Sequence, residues 1–390
     1  MKRTLKQLKS QTLQALSKWR IVIRLTEWNR SVRLAMRRWR EAERVELTPE
    51  DQAAIRFYAF TSATAKFFHE RTGRTDIRMQ DTPHFRLAAA LVSGTPDEMA
   101  AAEEYYKDYL AAAGRGTCAA ERDPDLAGFT RLFRAAQQGT SPAVSVVVTR
   151  ILPDDDWFLV QGTATLAVAW ALGRTLRAVR WPYDVAFMTY APSAEFYGTR
   201  HYNRPYQSIY HRQRLVIPGR RTDIAERLKL IPPDVLSGAS VLAVASNFGM
   251  NGILARQMGA SSVLGIEYSA RMVDLASRFA MIEGVYPSVQ FRTFNIDTDT
   301  LGDDERFDVG FLFAIYSHLR RPERLLQIAE QHIRRHIVFE GRPGGTFQEY
   351  QPFLGSGIFE SVRELGRLAR SVFHPEDRTR MVWLCTKRHE

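Results

Sequence analysis

The residues best suited to chemistry lie in the second half of the chain, at Val241-Leu-Ala-Val-Ala-Ser-Asn-Phe-Gly249, which runs straight into Met250-Asn-Gly-Ile-Leu-Ala-Arg256. A short apolar run ends in Ser246-Asn-Phe-Gly249, and a helix-period pattern follows at once. This predicts strand, tight turn and helix, the first βα unit of an open parallel sheet. Such a turn lets a ligand approach bare backbone, and the helix N-terminus beyond it offers unpaired N–H groups. Glu267, 18 residues past Gly249, ends a second apolar run, Val263-Leu-Gly-Ile. A carboxylate at a strand tip can accept both hydroxyls of a ribose. Together the two features point to a nucleoside ligand.

A dinucleotide site needs G-x-G-x-x-G, and Ala245-Ser-Asn-Phe-Gly249 lacks two of those glycines. The run instead resembles motif I of class I S-adenosylmethionine-dependent methyltransferases, hydrophobic-Leu-Asp-hydrophobic-Gly-Cys-Asn-x-Gly. Asn247 and Gly249 match it, Ser246 replaces the cysteine, and Ala243 and Ala245 replace the acidic residue and the first glycine. The resemblance spans about 160 residues in element order. It implies a Rossmann-like seven-stranded α/β sheet over 233–390, closed by an antiparallel pair at Ile358–Leu365 and Arg380–Thr386. It also implies S-adenosylmethionine as cofactor, held by Ala245, Ser246, Asn247, Gly249, Glu267, Tyr268, Asn295, Ile296, Asp297 and Phe313. Asn295 stands where the family carries an acidic acceptor for the adenine amino group, with Asp297 as a nearby substitute. An alcohol nucleophile needs a base. His318 is the first candidate, Glu340 the second, and Tyr316 lies beside them. A purely structural role for His318, capping the following helix, stays open.

The two alanines open a rival reading in which the domain no longer catalyses and serves as a scaffold. Alanine 245 puts a methyl where glycine permits close backbone approach.

The remaining composition is ordinary for two or three globular domains: 390 residues, 45% hydrophobic and 25% charged. Cys118 and Cys385 have no partner spacing, so neither a disulfide framework nor a metal site is implied. The longest uncharged run, Val235–Ala255, carries turn residues and is no membrane span. A reducing, cytoplasmic setting fits, with no secretory signal expected. Charge is uneven. Residues 1–46 hold 13 Lys/Arg and 4 Glu, or +9 of the total +11.

That segment reads as a basic amphipathic helix. Leu5, Leu8, Thr12, Leu16, Trp19 and Ile23 form one stripe, resumed by Trp28, Val32, Ala35 or Met36, and Trp39. Three readings are open: the stripe packs on the next domain, it lies on an anionic membrane surface on the inner face, or the arginines bind nucleic acid. Residues 47–142 read as a helical region, with a helix from Thr48-Pro-Glu-Asp51 to about Arg71 and others over Phe85–Val92, Thr95–Gly114 and Pro124–Gln137. His84 reads as a structural histidine at a helix start.

Residues 143–182 predict strand, turn, strand, helix and strand. This resembles a ParB-like nucleotide-binding module, with Gln161-Gly162-Thr-Ala-Thr165 lacking its phosphate-facing His and Arg. Residues 183–232 interleave aromatic and basic side chains, among them Tyr183, Phe187, Phe196, Tyr197, Tyr202, Tyr206, Tyr210, Arg200, His201 and Arg204. They suit either ligand stacking or interdomain cement, and Tyr206 and Arg220 are candidate lid contacts. The combination resembles proteins of surface-polysaccharide assembly and implies a sugar hydroxyl as acceptor. An RNA methyltransferase is the third reading, with the nearly neutral body of the chain against it.

Overall fold

The computed structural model describes residues 32–57, 62–114, 123–140, 145–190, 205–368 and 379–388. Residues 1–31, Cys118 and the connector residues Phe196, Tyr197, Arg200, His201, Tyr202 and Arg204 lie outside the described residues.

The first half is built on a five-stranded mixed sheet of β1 (Glu43–Leu47), β2 (Arg56–Phe57), β3 (Val146–Thr149), β4 (Phe158–Gln161) and β5 (Leu176–Arg180), in the order β1-β5-β3-β4-β2. The strand, strand, helix, strand order expected over 143–182 is present, with the helix at Thr163–Ala171. Two strands come from stretches expected to be helical. Glu43–Leu47, which alternates charged and apolar residues from Arg44 on, pairs antiparallel with β5, with Arg180 reaching Glu43 at 2.8 Å. The helix begun at Thr48 has the expected N-cap, closed into a capping box by Asp51, but stops at Ala54, not near Arg71. Arg56–Phe57 then pairs parallel with Phe158–Leu159, and a separate helix runs over Ser62–Thr72. Burial of Ile55 and Phe57 against the sheet outweighs helical continuation, since β propensity is largely a matter of packing.

The remaining helices pack on this sheet. Pro83–Ser93 and Pro96–Ala113 begin at Thr82 and Thr95 caps, as their Thr-Pro starts require. His84 is fully buried, its Nε2 3.0 Å from Asp123 and its ring edge-on to Tyr106 and Tyr109.

Part of the connector, Tyr183–Tyr190, is helical. Phe187 stacks on Phe279 and meets Phe248 edge-on. Tyr183, Phe187 and Tyr210 are therefore cement between the two halves. A hairpin follows, β6 (Ile209–His211) and β7 (Arg214–Ile217).

The second half is a seven-stranded sheet: β8 (Ser240–Val244), β9 (Ser262–Glu267), β10 (Val289–Thr293), β11 (Phe307–Phe313), β12 (Ile333–Glu340), β13 (Phe359–Leu368) and β14 (Arg380–Lys387). Their spatial order is β10-β9-β8-β11-β12-β14-β13. The first five are parallel, while β14 runs antiparallel to both β12 and β13. This is the expected Rossmann-like sheet with its closing antiparallel pair. The chain moves outward from β8 through β9 to β10, then crosses back to β11. The strand order therefore reverses between β8 and β11, and a ligand crevice opens outside the carboxyl ends at such a point. Among the described residues, no helix is long and apolar enough to cross a membrane, and no group of His, Cys, Asp or Glu is arranged to hold a metal ion.

Candidate cofactor and active site

Strand register draws one row of residues across the carboxyl ends. Thr293 pairs with Glu267, and Phe313 pairs with Glu340. Val244 pairs with both Ile266 and Leu312, so Ala245, the next residue, stands level with Glu267 and Phe313. The row falls at the point of strand-order reversal.

The turn after β8 is strained. Ala245 has φ 53° and Asn247 φ 54°, both left-handed, and Gly249 follows at φ 75°. Asn tolerates this region and glycine is free in it, but alanine pays a steric penalty for its Cβ. Ala314, just past β11, is left-handed too, at φ 54°, and its N–H donates to the Glu340 carbonyl at 2.9 Å. Two left-handed alanines thus flank the switch point. Backbone strain of this kind concentrates at functional sites. Gly249 has a second requirement, because a Cβ there would overlap the Phe291 ring.

Glu267 is held ready by backbone. Its Oε2 accepts from the Asn247 N–H at 2.8 Å and its Oε1 from the Ser269 N–H at 3.1 Å. The carboxylate stays half-buried at the strand tip, beside the turn. Around it sit polar atoms that the protein leaves without a hydrogen bond: Ser246 Oγ, Asn247 Oδ1 and Gln207 Oε1. Gln207 is 4% exposed and donates through Nε2 to the Ser246 carbonyl at 3.3 Å. Buried acceptors without partners are costly, and these three converge on the turn where a nucleoside ligand would approach backbone. Such unpartnered polar atoms suit a polar ligand at this turn, with the Ala245 methyl group narrowing the space beside it.

Sequence reasoning did not single out Gln207. It belongs to the lid stretch Pro205–Ser208, held against 219–221 by Arg220 N–H to the Pro205 carbonyl and Arg221 N–H to the Tyr206 carbonyl, both 2.7 Å. The close approach of Gly219 to the Gln207 backbone leaves no room for a side chain there. The expected lid residues Tyr206 and Arg220 meet each other, the guanidinium 5.9 Å from the ring centroid.

Asn295 serves its own loop, and Asp297 ties that loop to the segment beyond β11. Asn295 Oδ1 accepts from the Asp297 N–H at 3.1 Å, and Asp297 Oδ1 accepts from the Arg321 N–H at 3.1 Å. Ile296 is buried beneath them, whereas Tyr268 is 74% exposed. Phe313 stacks on Phe311 and is covered by the Arg227 guanidinium at 4.1 Å.

Of the three candidate catalytic residues, His318 lies exposed in the short 3-10 turn Tyr316–His318 beyond β11. The Tyr316 ring packs edge-on against Tyr350 at 5.6 Å, and burial pushes its phenol up, with Glu323 adding to the effect. Glu340, expected as a second base, is wholly buried and held by Arg221 at 2.9 Å, Arg380 at 3.2 Å and Arg227. Burial would raise its carboxyl, but the charges of Arg227, Arg221 and Arg380 outweigh that and hold it at about 2. A carboxylate so clamped has neither the reach nor the basicity to take a substrate proton. Its part is to anchor: Arg227 also bonds Asn251 Oδ1 at 2.7 Å in the first turn of the helix Met250–Gln257, and Arg221 chelates Asp223 at 2.8 and 2.7 Å. The segment 221–227 is tied to the strand ends through this cluster.

The family described as "Methyltransferase domain" matches residues 242–336. No curated protein matches the chain. Solved structures that resemble it include magnesium protoporphyrin IX methyltransferase from Synechocystis PCC 6803 with bound SAM, at 19% identity and TM-score 0.36, covering 43% of this chain and 79% of that one. The N-terminal domain of EvdMO1, in the presence of SAH and D-fucose, gives 17% identity and TM-score 0.38 over 46% and 90%. YcgJ from Bacillus subtilis gives 11% and 0.37 over 44% and 100%. At these identities and scores the likenesses carry nothing about acceptor or pathway. Family match and strand order meet in the second half: residues 242–336 match the methyltransferase-domain family and lie on the parallel strands of the seven-stranded sheet.

Proposed function

We propose that this protein methylates a hydroxyl of a sugar or glycan intermediate in surface-polysaccharide assembly, with residues 245–249, Glu267 and Gln207 holding the cofactor. The observation that carries the reading is the carboxylate of Glu267, oriented by two backbone N–H groups beside a left-handed turn whose neighbouring acceptors lack partners. S-adenosylmethionine supplies an already activated sulfonium methyl group when bound. The protein's share is alignment and removal of the acceptor proton. His318, exposed at the crevice, would take that proton. Tyr316 keeps its own, since burial raises the phenol, and would orient the hydroxyl by donating to it.

A hydroxyl acceptor is favoured because it is the acceptor that needs a base. The sugar class rests on the resemblance of the preceding elements to polysaccharide-assembly proteins. Against RNA, the chain beyond residue 46 carries only 41 Lys/Arg against 39 Asp/Glu.

A second reading has its own observation. Ala245 is strained at φ 53° where the family has glycine, and Ala243 removes the motif's acidic residue. Both suit a scaffold that has lost turnover.

Calorimetric titration with S-adenosylmethionine and S-adenosylhomocysteine separates the two. The enzyme reading expects micromolar binding, weakened at least about hundredfold in Glu267→Ala, which loses a charged acceptor. Silence in the wild-type titration would remove the enzyme and leave the scaffold. Where binding is found, His318→Ala should slow methyl transfer by about 10²–10⁴-fold with cofactor affinity unchanged.

A further inference from the structure

Residues 32–40 form a helix whose apolar stripe points away from the protein. Val32, Met36 and Trp39 repeat at the i, i+4, i+7 spacing of one helix face and are 38%, 65% and 86% exposed. Trp39 is the most exposed large apolar side chain among the described residues. The opposite side is fastened to the body. Arg37 pairs with Asp184 at 2.8 Å and also with Glu41, and the Arg38 guanidinium lies 4.9 Å over the Trp181 ring. Rotation of the helix to bury the stripe would break the contacts of Arg37 with Asp184 and of Arg38 with Trp181. The outward direction is therefore built in, and the reading in which the stripe packs on the next domain does not hold for these residues.

A tryptophan-tipped apolar stripe flanked by exposed Arg33 and Arg40, inside a segment that is +9 over 46 residues, has the composition of a helix that lies in a lipid interface. The apolar side chains enter the headgroup–acyl boundary, Trp suits that boundary, and the cations meet anionic headgroups. A nucleic-acid surface would use the cations and could stack on Trp39, but has no use for the aliphatic Val32 and Met36 of the same stripe. We propose that the face formed by Val32, Met36 and Trp39 docks the protein on the surface of an anionic lipid bilayer. The fastening of Arg37 and Arg38 to the body would then set the orientation of the whole protein on that surface.

The test is flotation of the full chain with vesicles of phosphatidylcholine alone and of phosphatidylcholine mixed with phosphatidylglycerol. The expected result is co-flotation with the anionic vesicles only, reduced by added salt. Met36→Ala/Trp39→Ala should weaken it about tenfold or more. Both side chains are exposed, so the variant should keep the wild-type circular dichroism and melting point. Three results would overturn the proposal: no flotation with anionic vesicles, flotation unchanged in the double variant, or equal flotation with neutral vesicles. Binding of single-stranded RNA without vesicle binding would assign the charge to nucleic acid instead.

Discussion

At the level of single residues, the site turns on conformations that side-chain type makes costly or free. Ala245 is the sharpest case. Its left-handed backbone costs about 1–2 kcal/mol for a non-glycine residue, offset by the extra unfolded-state freedom a glycine brings, about 0.4–1 kcal/mol. Ala245→Gly should therefore stabilise the protein by up to about 1 kcal/mol in denaturant titration, and it should tighten cofactor binding by widening the cradle. Unchanged or lower stability would mean that the turn is not strained. Gly249 differs, because Phe291 fills the space a side chain would need. Gly249→Ala should cost about 2 kcal/mol or more, from the left-handed backbone and overpacking combined. These two opposite signs, two residues either side of Asn247, follow from backbone angle and neighbour alone.

Among elements, the buried ionic cluster joins the segment 221–227, the helix Met250–Gln257 and the end of β12. Three arginines converge on Glu340 and a second carboxylate, Asp223, shares Arg221. Removing the central charge leaves buried cations without their counter-ion, which typically costs about 3–5 kcal/mol. Glu340→Gln should lower stability by that order and loosen the segment 221–227. The sign of the acid response follows from the same geometry. The carboxyl is lowered from its ordinary 4.5 to about 2 in the folded state. Its stabilisation is thus complete above the ordinary range and is lost as pH falls through 4.5 toward 2. A shift of that size is worth roughly 3 kcal/mol. Denaturation curves taken down that pH range should show this component in the wild type and lack it in Glu340→Gln.

Taken whole, the molecule is two sheets joined by a buried junction. His211 of the β6–β7 hairpin stands between two carboxylates, with Nδ1 2.5 Å from Glu283 and Nε2 3.2 Å from Asp155. Asp155 comes from the turn between β3 and β4, and Glu283 caps the helix Ala270–Ile282. Glu283 also accepts from the Arg212 N–H and from Gln257, each at 3.0 Å. A further tie runs from Arg56 of β2 to the Ile282 carbonyl at 3.2 Å. The two halves should therefore unfold as one unit. Glu283→Ala would leave several buried donors unpaired, at a cost of about 2–4 kcal/mol, and should split the single calorimetric transition into two. A single transition at the wild-type melting point would show that the junction does not couple the halves.

Much of this was legible in the residues alone, and the division has a physical cause. The order of strands and helices in the second half, the turn at 245–249 and the carboxylate at the tip of β9 are written in local period and turn chemistry, over windows of a few to some twenty residues. The structural role of His84 and the Thr48 and Thr95 caps are local in the same way. What tertiary structure decided involves partners distant in sequence. Glu340 looks like a base at a strand end until Arg221, 119 residues away, and Arg227, 113 away, are brought onto it. Arg56–Phe57 looks helical until Phe158 offers a strand to pair with. The stripe of residues 32–40 has the same amphipathic pattern whichever way it faces. Only its contacts with Asp184 and Trp181, far along the chain, determine that it faces outward.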